Sequence, residues 1–444
     1  MIDTRIQGGF VVTMDGAGRE IASGCVEVSA GRITHVGPAP SGAEAVHEVD
    51  ASGLIVMPGL VNTHCHSSQQ LARGLADDVD LLTWLHERIW PYEAALSEAE
   101  AEISALACAL EQIHNGVTTL ADPGGQHVDG MGRAISAAGL RAYLGQSSMD
   151  EGVGLPPSMS RSTGEVLALQ DDLARRWHGA AEGRIRLSYT LRTIFNCSDA
   201  LITESVARAR ELRTIVQMHI AELPAENEHT RATRGTSTVR HLQRIGALGP
   251  WFLGAHAVWI DGEEMGLLAQ TRASVSHNVA SNLRVLGLPR VADMLDHGIT
   301  VGIGTDGAPA NNRMSLIDEM YMASLLQKGL RGDPTVLGAR RVLAMATREG
   351  ARALCWDDEI GSLEAGKAAD LVVVDPRTAN MIPVHDPVSA LVTSLKSENV
   401  RSVMCAGRWL MRDGTITVCD EASVLAEAQR RAGEVARRAG VRTG

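Results

Sequence analysis

Short apolar runs and helix-periodic stretches alternate through the middle of the chain. The runs lie at Gly53–His66, Val117–Asp122, Arg141–Ser147, Ile185–Arg192, Ile215–Glu222, Phe252–Trp259, Ala273–Asn278 and Thr300–Asp306, eight in all. They are predominantly apolar, as strands covered on both faces require, and alternation with helices implies parallel pairing. Ser198–Arg213 and Ile260–Thr271 read as helices, as does the stretch opened by the capping-box sequence Ser97-Glu98-Ala99-Glu100 and closed by Asn115-Gly116. Eight such units predict an α/β fold, a (β/α)8 TIM-type barrel over residues 56–358. The flanks alternate differently. Gly9–Met14, Gly24–Val28 and Arg32–Val36 before the barrel, and Ala369–Asp375 and Val400–Trp409 after it, read as strands punctuated by Gly, Pro and Asp. They predict a small β-sandwich built from both terminal segments, 1–55 and 359–420. Residues 421–444, rich in Ala, Glu and Arg, predict a C-terminal surface helix, and Asp150–Ser160 predicts a long βα loop serving as a lid or a subunit contact.

Composition narrows the partners. Lys and Arg number 41 against 53 Asp and Glu, a net charge of −12, and no basic patch interleaved with aromatics occurs, so nucleic acid is not an expected partner. No run approaches the roughly 18 apolar residues of a membrane span, and the first residues lack an apolar leader, so a cytoplasmic protein without a membrane partner is expected. The 7 cysteines, without any CxxC, point to reduced thiols.

In a barrel of this kind the chemistry sits at the C-terminal strand ends. There this sequence places His64 and His66, His219 with Glu222, His256, His277 with Asn278, and Asp306. Alternation along a strand sends His64 and His66 to one side and Cys65 to the other. His64, His66, His219 and Asp306 suit one divalent ion with a position left for water; zinc, iron, manganese and cobalt all accept such a set. An ion so held brings the pKa of its water toward neutrality. Asp306 is placed to take the water's proton, Glu222 to protonate the atom beside the carbon under attack, and His256 to hold or polarise the attacking oxygen.

The HxH after Pro58-Gly59-Leu60-Val61-Asn62, the His-x-x-Glu at 219 and 222, His256, the 277–282 segment and Gly304-Thr305-Asp306-Gly307 together resemble the amidohydrolase superfamily. So does Ile360-Gly361-Ser362-Leu363-Glu364, on the return to the terminal sandwich. Within that superfamily the pattern is similar to the cytosine deaminase-like branch, which holds guanine deaminases, methylthioadenosine/S-adenosylhomocysteine deaminases and s-triazine hydrolases. The resemblance implies one metal ion, usually zinc or iron, and hydrolytic loss of ammonia or another leaving group from an N-heterocycle of purine, pterin or triazine type. It also implies a homo-oligomer, dimer or tetramer. The fourth strand ends Tyr189-Thr190-Leu191-Arg192 without a bridging lysine, which favours one ion over two.

The resemblance further aligns Trp84 with a position that stacks on the base and Glu93 with one that binds ribose hydroxyls. Where the adenosine-type deaminases carry a histidine after the fourth strand, this chain has Leu191-Arg192-Thr193-Ile194. Arg192 could pair two oxygens of a substrate or a neighbouring carboxylate, and His277 completes the candidate substrate-binding residues. Two further readings are open: displacement of chloride or an alkylamine by the same mechanism, and a non-catalytic metal-binding barrel.

Overall fold

The terminal segments meet in one nine-stranded sheet because each supplies apolar strands with too few partners of its own. The computed structural model describes residues 2–441; Met1, in the expected first sandwich segment, and residues 442–444, at the end of the expected C-terminal helix, lie outside the described residues. Five strands precede the barrel: β1 (Ile2–Val12), β2 (Glu20–Ser29), β3 (Arg32–Gly37), β4 (Ala45–Asp50) and β5 (Ile55–Pro58). Register shifts on either side of Gly9 bend β1, and Gly8, at φ +85°, supplies backbone that other residues rarely adopt. The first half of β1 therefore pairs β4 and the second half β5.

The barrel follows: β6 (Leu60–Asn62), β7 (Val117–Ala121), β8 (Arg141–Leu144), β9 (Ile185–Leu187), β10 (Tyr189–Leu191), β11 (Val216–Ile220), β12 (Phe252–His256), β13 (Ser274–His277) and β14 (Val301–Ile303), all pairing in parallel. β9 and β10 are one strand interrupted at Ser188. Ser188 N–H still donates to Leu144 O at 2.8 Å, while Tyr189 N–H has turned to Ile215 O, so the fourth strand changes partner at its middle. Thr63 N–H to Ile303 O, 2.9 Å, closes the ring. The expected barrel is thus the observed one.

The chain then returns through β15 (Leu371–Val374), β16 (Val400–Cys405), β17 (Arg408–Arg412) and β18 (Thr415–Ile416). β15 pairs antiparallel with both β5 and β16, which joins the two terminal segments, with Ile6, Val26, Ile33, Val56, Leu371 and Met404 packed in their shared core. Arg141 of β8 donates to both carboxylate oxygens of Asp370 at 3.0 and 3.2 Å, pinning this sheet to the barrel.

The helix Glu98–His114 begins as its sequence predicts: Ser97 Oγ accepts from Glu100 N–H at 3.4 Å, and Glu100 Oε2 accepts from Ser97 N–H at 2.8 Å. Ser97→Ala is expected to lower stability by about 1 kcal/mol, read as a shift in the urea midpoint without a change in slope. The terminal helix, Glu421–Ala439, lies beside it, with His114 Nε2 2.6 Å from Glu421 Oε1 and Arg438 bonded to Ala95 O and Glu100. Among the described residues all seven cysteines are free, and no helix is long and apolar enough to cross a membrane.

Candidate active site

The strand ends carry the polar groups because the backbone there leaves extended geometry. Ala221, His256, Ala257 and Asp306 have φ between +47° and +72°, left-handed values that non-glycine residues adopt at a cost of order 1 kcal/mol or more each. These turns aim side chains inward that a continuing strand would alternate. β6 is locked to the eighth strand's end by Asn62, which donates to Thr305 Oγ1 (2.8 Å) and accepts from Thr305 N–H (3.1 Å); His64 O accepts from Thr305 and Asp306 N–H.

His64, His66 and His219 converge. His66 Nε2 and His219 Nε2 are 3.3 Å apart, and Asp306 Oδ1 stands 3.5 Å from His66 Nε2 and 3.7 Å from His64 Nε2. A tetrahedral ion about 2.1 Å from each ligand atom needs ligand-to-ligand edges of about 3.4 Å. Moreover, His64 Nε2 is buried without a hydrogen-bond partner, and His219 Nδ1 donates to Arg192 O at 2.8 Å, which leaves its Nε2 a bare lone pair. Burial holds His64, His66 and His219 well below the ordinary histidine pKa, so all three are neutral and ready to ligate. The donor set fits one divalent ion.

The remaining groups surround this cluster. His256 Nδ1 is 2.8 Å from Asn282 Oδ1 and 3.4 Å from Asn278 Nδ2; the shorter contact makes Nδ1 the protonated nitrogen and leaves Nε2 as acceptor, 3.8 Å from Asp306 Oδ2. Asp306 Oδ2 accepts from Ser281 Oγ at 2.6 Å, and Oδ1 from Gly307 N–H at 2.7 Å. Glu222 is 7% exposed, and burial, reinforced by the Glu226 carboxylate and opposed by Arg192, pushes its pKa up to about 8. Glu226 caps the turn beneath it, accepting from Ala221 N–H at 2.8 Å and Glu222 N–H at 2.9 Å, and burial raises its pKa to about 7.

A cavity of about 30 Å³ brings together His66, His219, Glu222, His256, Asp306 and two of the expected substrate residues, Trp84 and Arg192. Glu93 and His277 do not line it. Glu93, 1% exposed, accepts from Gln69 Nε2 at 2.7 Å and stands 3.8 Å from Arg192 Nη1; both Glu93 Oε2 and Arg192 Nη1 are buried without hydrogen-bond partners. His277 is wholly buried, with burial lowering its pKa to about 3 and its Nδ1 3.4 Å from Asn282 Nδ2. Glu226 and the Ser281 and Asn282 contacts were not foreseen as parts of the site. Glu226 has the form of an ordinary first-turn acid after Pro224, and only its place four residues beyond Glu222 hints otherwise. Ser281 and Asn282 sit in a motif whose spacing gives no sign of which strand end they reach.

Residues 55–410 match the amidohydrolase family. A 5'-deoxyadenosine deaminase of Methanosarcina acetivorans is 37% identical over 442 residues, covering 99% of this chain and 100% of that protein. A 5-methylthioadenosine/S-adenosylhomocysteine deaminase of Moorella thermoacetica is 36% identical over 419 residues, 94% of this chain and 96% of that one. Among solved structures, an adenosine deaminase from Xanthomonas campestris with bound zinc superposes with a TM-score of 0.93 at 28% identity, over 98% of this chain and 99% of the other. On the family match and these full-length similarities, the chain belongs to the amidohydrolase family.

Proposed function

We propose that this protein deaminates an adenine nucleoside, with one divalent ion, zinc in the first instance, held by His64, His66, His219 and Asp306. The observation that carries the reading is Glu222: a carboxyl held largely protonated at neutral pH by burial, on the same small cavity as the convergent histidines. The names of the curated relatives support an adenosine-derived substrate. The ion supplies Lewis-acid activation of water and charge neutralisation.

The side chains do the rest. Trp84 on the cavity wall gives a flat face to the purine ring. Asp306 takes a proton from the attacking water, its Oδ2 kept in place by Ser281. His256, neutral and with Nε2 free to accept, orients the attacking oxygen. Glu222 donates its proton to the ring nitrogen beside the amino-bearing carbon as the new C–O bond forms; the C–N bond breaks as the proton held by Asp306 leaves with ammonia, and the proton of the added hydroxyl returns to Glu222 as the ring carbonyl forms.

Ammonia release over a panel of adenosines, free purines, pterins and triazines tests the proposal: ammonia from the adenosines is the expected result, and chloride or alkylamine release from triazines alone would overturn it. A pH dependence follows. Glu222 acts in its protonated form, so activity is full below its pKa and is lost as pH rises through it. A bound cation draws that pKa down from about 8, so the descending limb of kcat against pH should lie at or below pH 8. In Glu222→Gln that limb should vanish from the residual rate.

A further inference from the structure

The helix Leu316–Arg331 carries a buried carboxyl that the chemistry above does not use. Glu319 is 1% exposed and has no cation paired with it among the described residues, although a buried carboxyl without such a partner is costly to keep. Both of its oxygens are engaged: Oε2 accepts from Ala280 N–H at 3.1 Å, and Oε1 accepts from Asn311 Nδ2 at 2.9 Å. Burial, opposed by these donors and reinforced by the Asp306 carboxylate, pushes its pKa up to about 8.

The two donors belong to the two segments that meet at Asp306. Ala280 precedes Ser281, whose Oγ donates to Asp306 Oδ2 at 2.6 Å. Asn311 Nδ2 also donates to Thr305 O at 2.9 Å, one residue before Asp306. Asp306 itself sits at φ +63°, a conformation that persists only where the surroundings hold it. One carboxyl therefore ties together the turn that presents Asp306 and the turn that supplies its hydroxyl donor. It does so from behind, since neither Glu319 nor Asn311 lines the cavity.

We infer that Glu319 is a positioning residue for Asp306. Through Ala280 it sets Ser281, through Asn311 it sets Thr305, and together these hold the Asp306 carboxylate as its metal-binding and proton-accepting roles require. Two acceptors are needed because two donors converge from different segments. A carboxyl meets both whether or not it is ionised, each oxygen keeping a lone pair, whereas the amide nitrogen of glutamine cannot accept. Glu319→Gln thus keeps the shape and, with the native group largely neutral at pH 7, most of the charge, while breaking one arm of the bridge. The inference rests on the roles proposed for Asp306.

Two measurements test it: zinc affinity, read by competition with a chromogenic chelator, and the steady-state constants at saturating zinc for the adenosine turned over fastest. Glu319→Gln should weaken zinc binding by about tenfold or more, the share that partners orienting a ligating group commonly carry. It should also lower kcat by about tenfold, with KM within about threefold of the wild type. Asn311→Ala cuts the bridge at its other end and should reproduce both effects, which keeps the inference testable if the glutamine variant does not fold. Combined with Ser281→Ala, Glu319→Gln should cost clearly less than the product of the two single losses, since each loosens the same carboxylate. A role confined to general stability would give the full product. Wild-type zinc affinity and kcat in either folded variant, or the full product in the double variant, would overturn the inference. If the wild type releases no ammonia from any adenosine, the deaminase reading falls instead, and the zinc affinities alone decide the part played by Glu319.

Discussion

Glu222→Gln should lower kcat by between about 10²-fold and 10⁴-fold while leaving metal content unchanged. The amide matches the carboxyl in shape but has no acidic proton to give. Because burial keeps the native carboxyl largely neutral at pH 7, the exchange removes little charge from the site, and folding stability should stay within about 1 kcal/mol. The histidines should not notice it. His219 is oriented by its Nδ1–H bond to Arg192 O, and the turn carrying residue 222 is held by Glu226 through the backbone N–H groups of residues 221 and 222. Turnover, elemental analysis and thermal unfolding on one preparation check all three expectations. Unchanged turnover would remove Glu222 as the acid, whereas lost turnover accompanied by lost metal would make its role structural.

The separation between what Glu222 does and what Glu226 does marks where sequence reading runs out. The barrel was legible because its eight strands are buried on both faces and so read as short, predominantly apolar runs between helix-like stretches. The Ser97 capping box was legible because it depends on residues three apart. His64 and His66 stood out because one strand's alternation points both the same way. By contrast β4, Ala-Val-His-Glu-Val-Asp at 45–50, is largely exposed beside β1, so it lacks the apolar signature of a strand. The partner change at Ser188 depends on Leu144, 44 residues earlier, and Ile215, 27 residues later. Glu226 acts through backbone N–H groups, Ser281 through Asp306 and Asn282 through His256, so their roles are properties of turns and neighbours rather than of spacing. The cleft walled by Leu82, Glu151, Phe195 and Arg234 is the extreme case: its walls come from four separate stretches of chain, and the pairing of Arg234 with both Glu151 and Asp199 appears only in the folded chain.

Removing the ion, or one of its ligands, should abolish activity and uncouple the fold from metal at the same time. Buried neutral imidazoles with unpartnered lone pairs are costly to assemble, and an ion that binds only the folded state offsets that cost. With free metal at about a thousand times its dissociation constant, the stabilisation is about 4 kcal/mol. For a chain of 444 residues, whose unfolding entropy is correspondingly large, that amounts to a rise in Tm of about 4 °C. Chelator-treated wild type should therefore lose turnover and melt about 4 °C lower, and added zinc should restore both. His66→Ala deletes the imidazole closest to His219 Nε2 and Asp306 Oδ1, so the variant should be inactive with or without zinc, carry little metal, and show a Tm that no longer responds to it. A wild type that keeps full activity after chelation to trace metal would exclude the ion from the reaction. A His66→Ala variant that retains both metal and turnover would instead move the ion to the other buried group that the structure brings together, His64, His256 and Asp306, and that outcome would exchange the roles assigned here to His66 and His256.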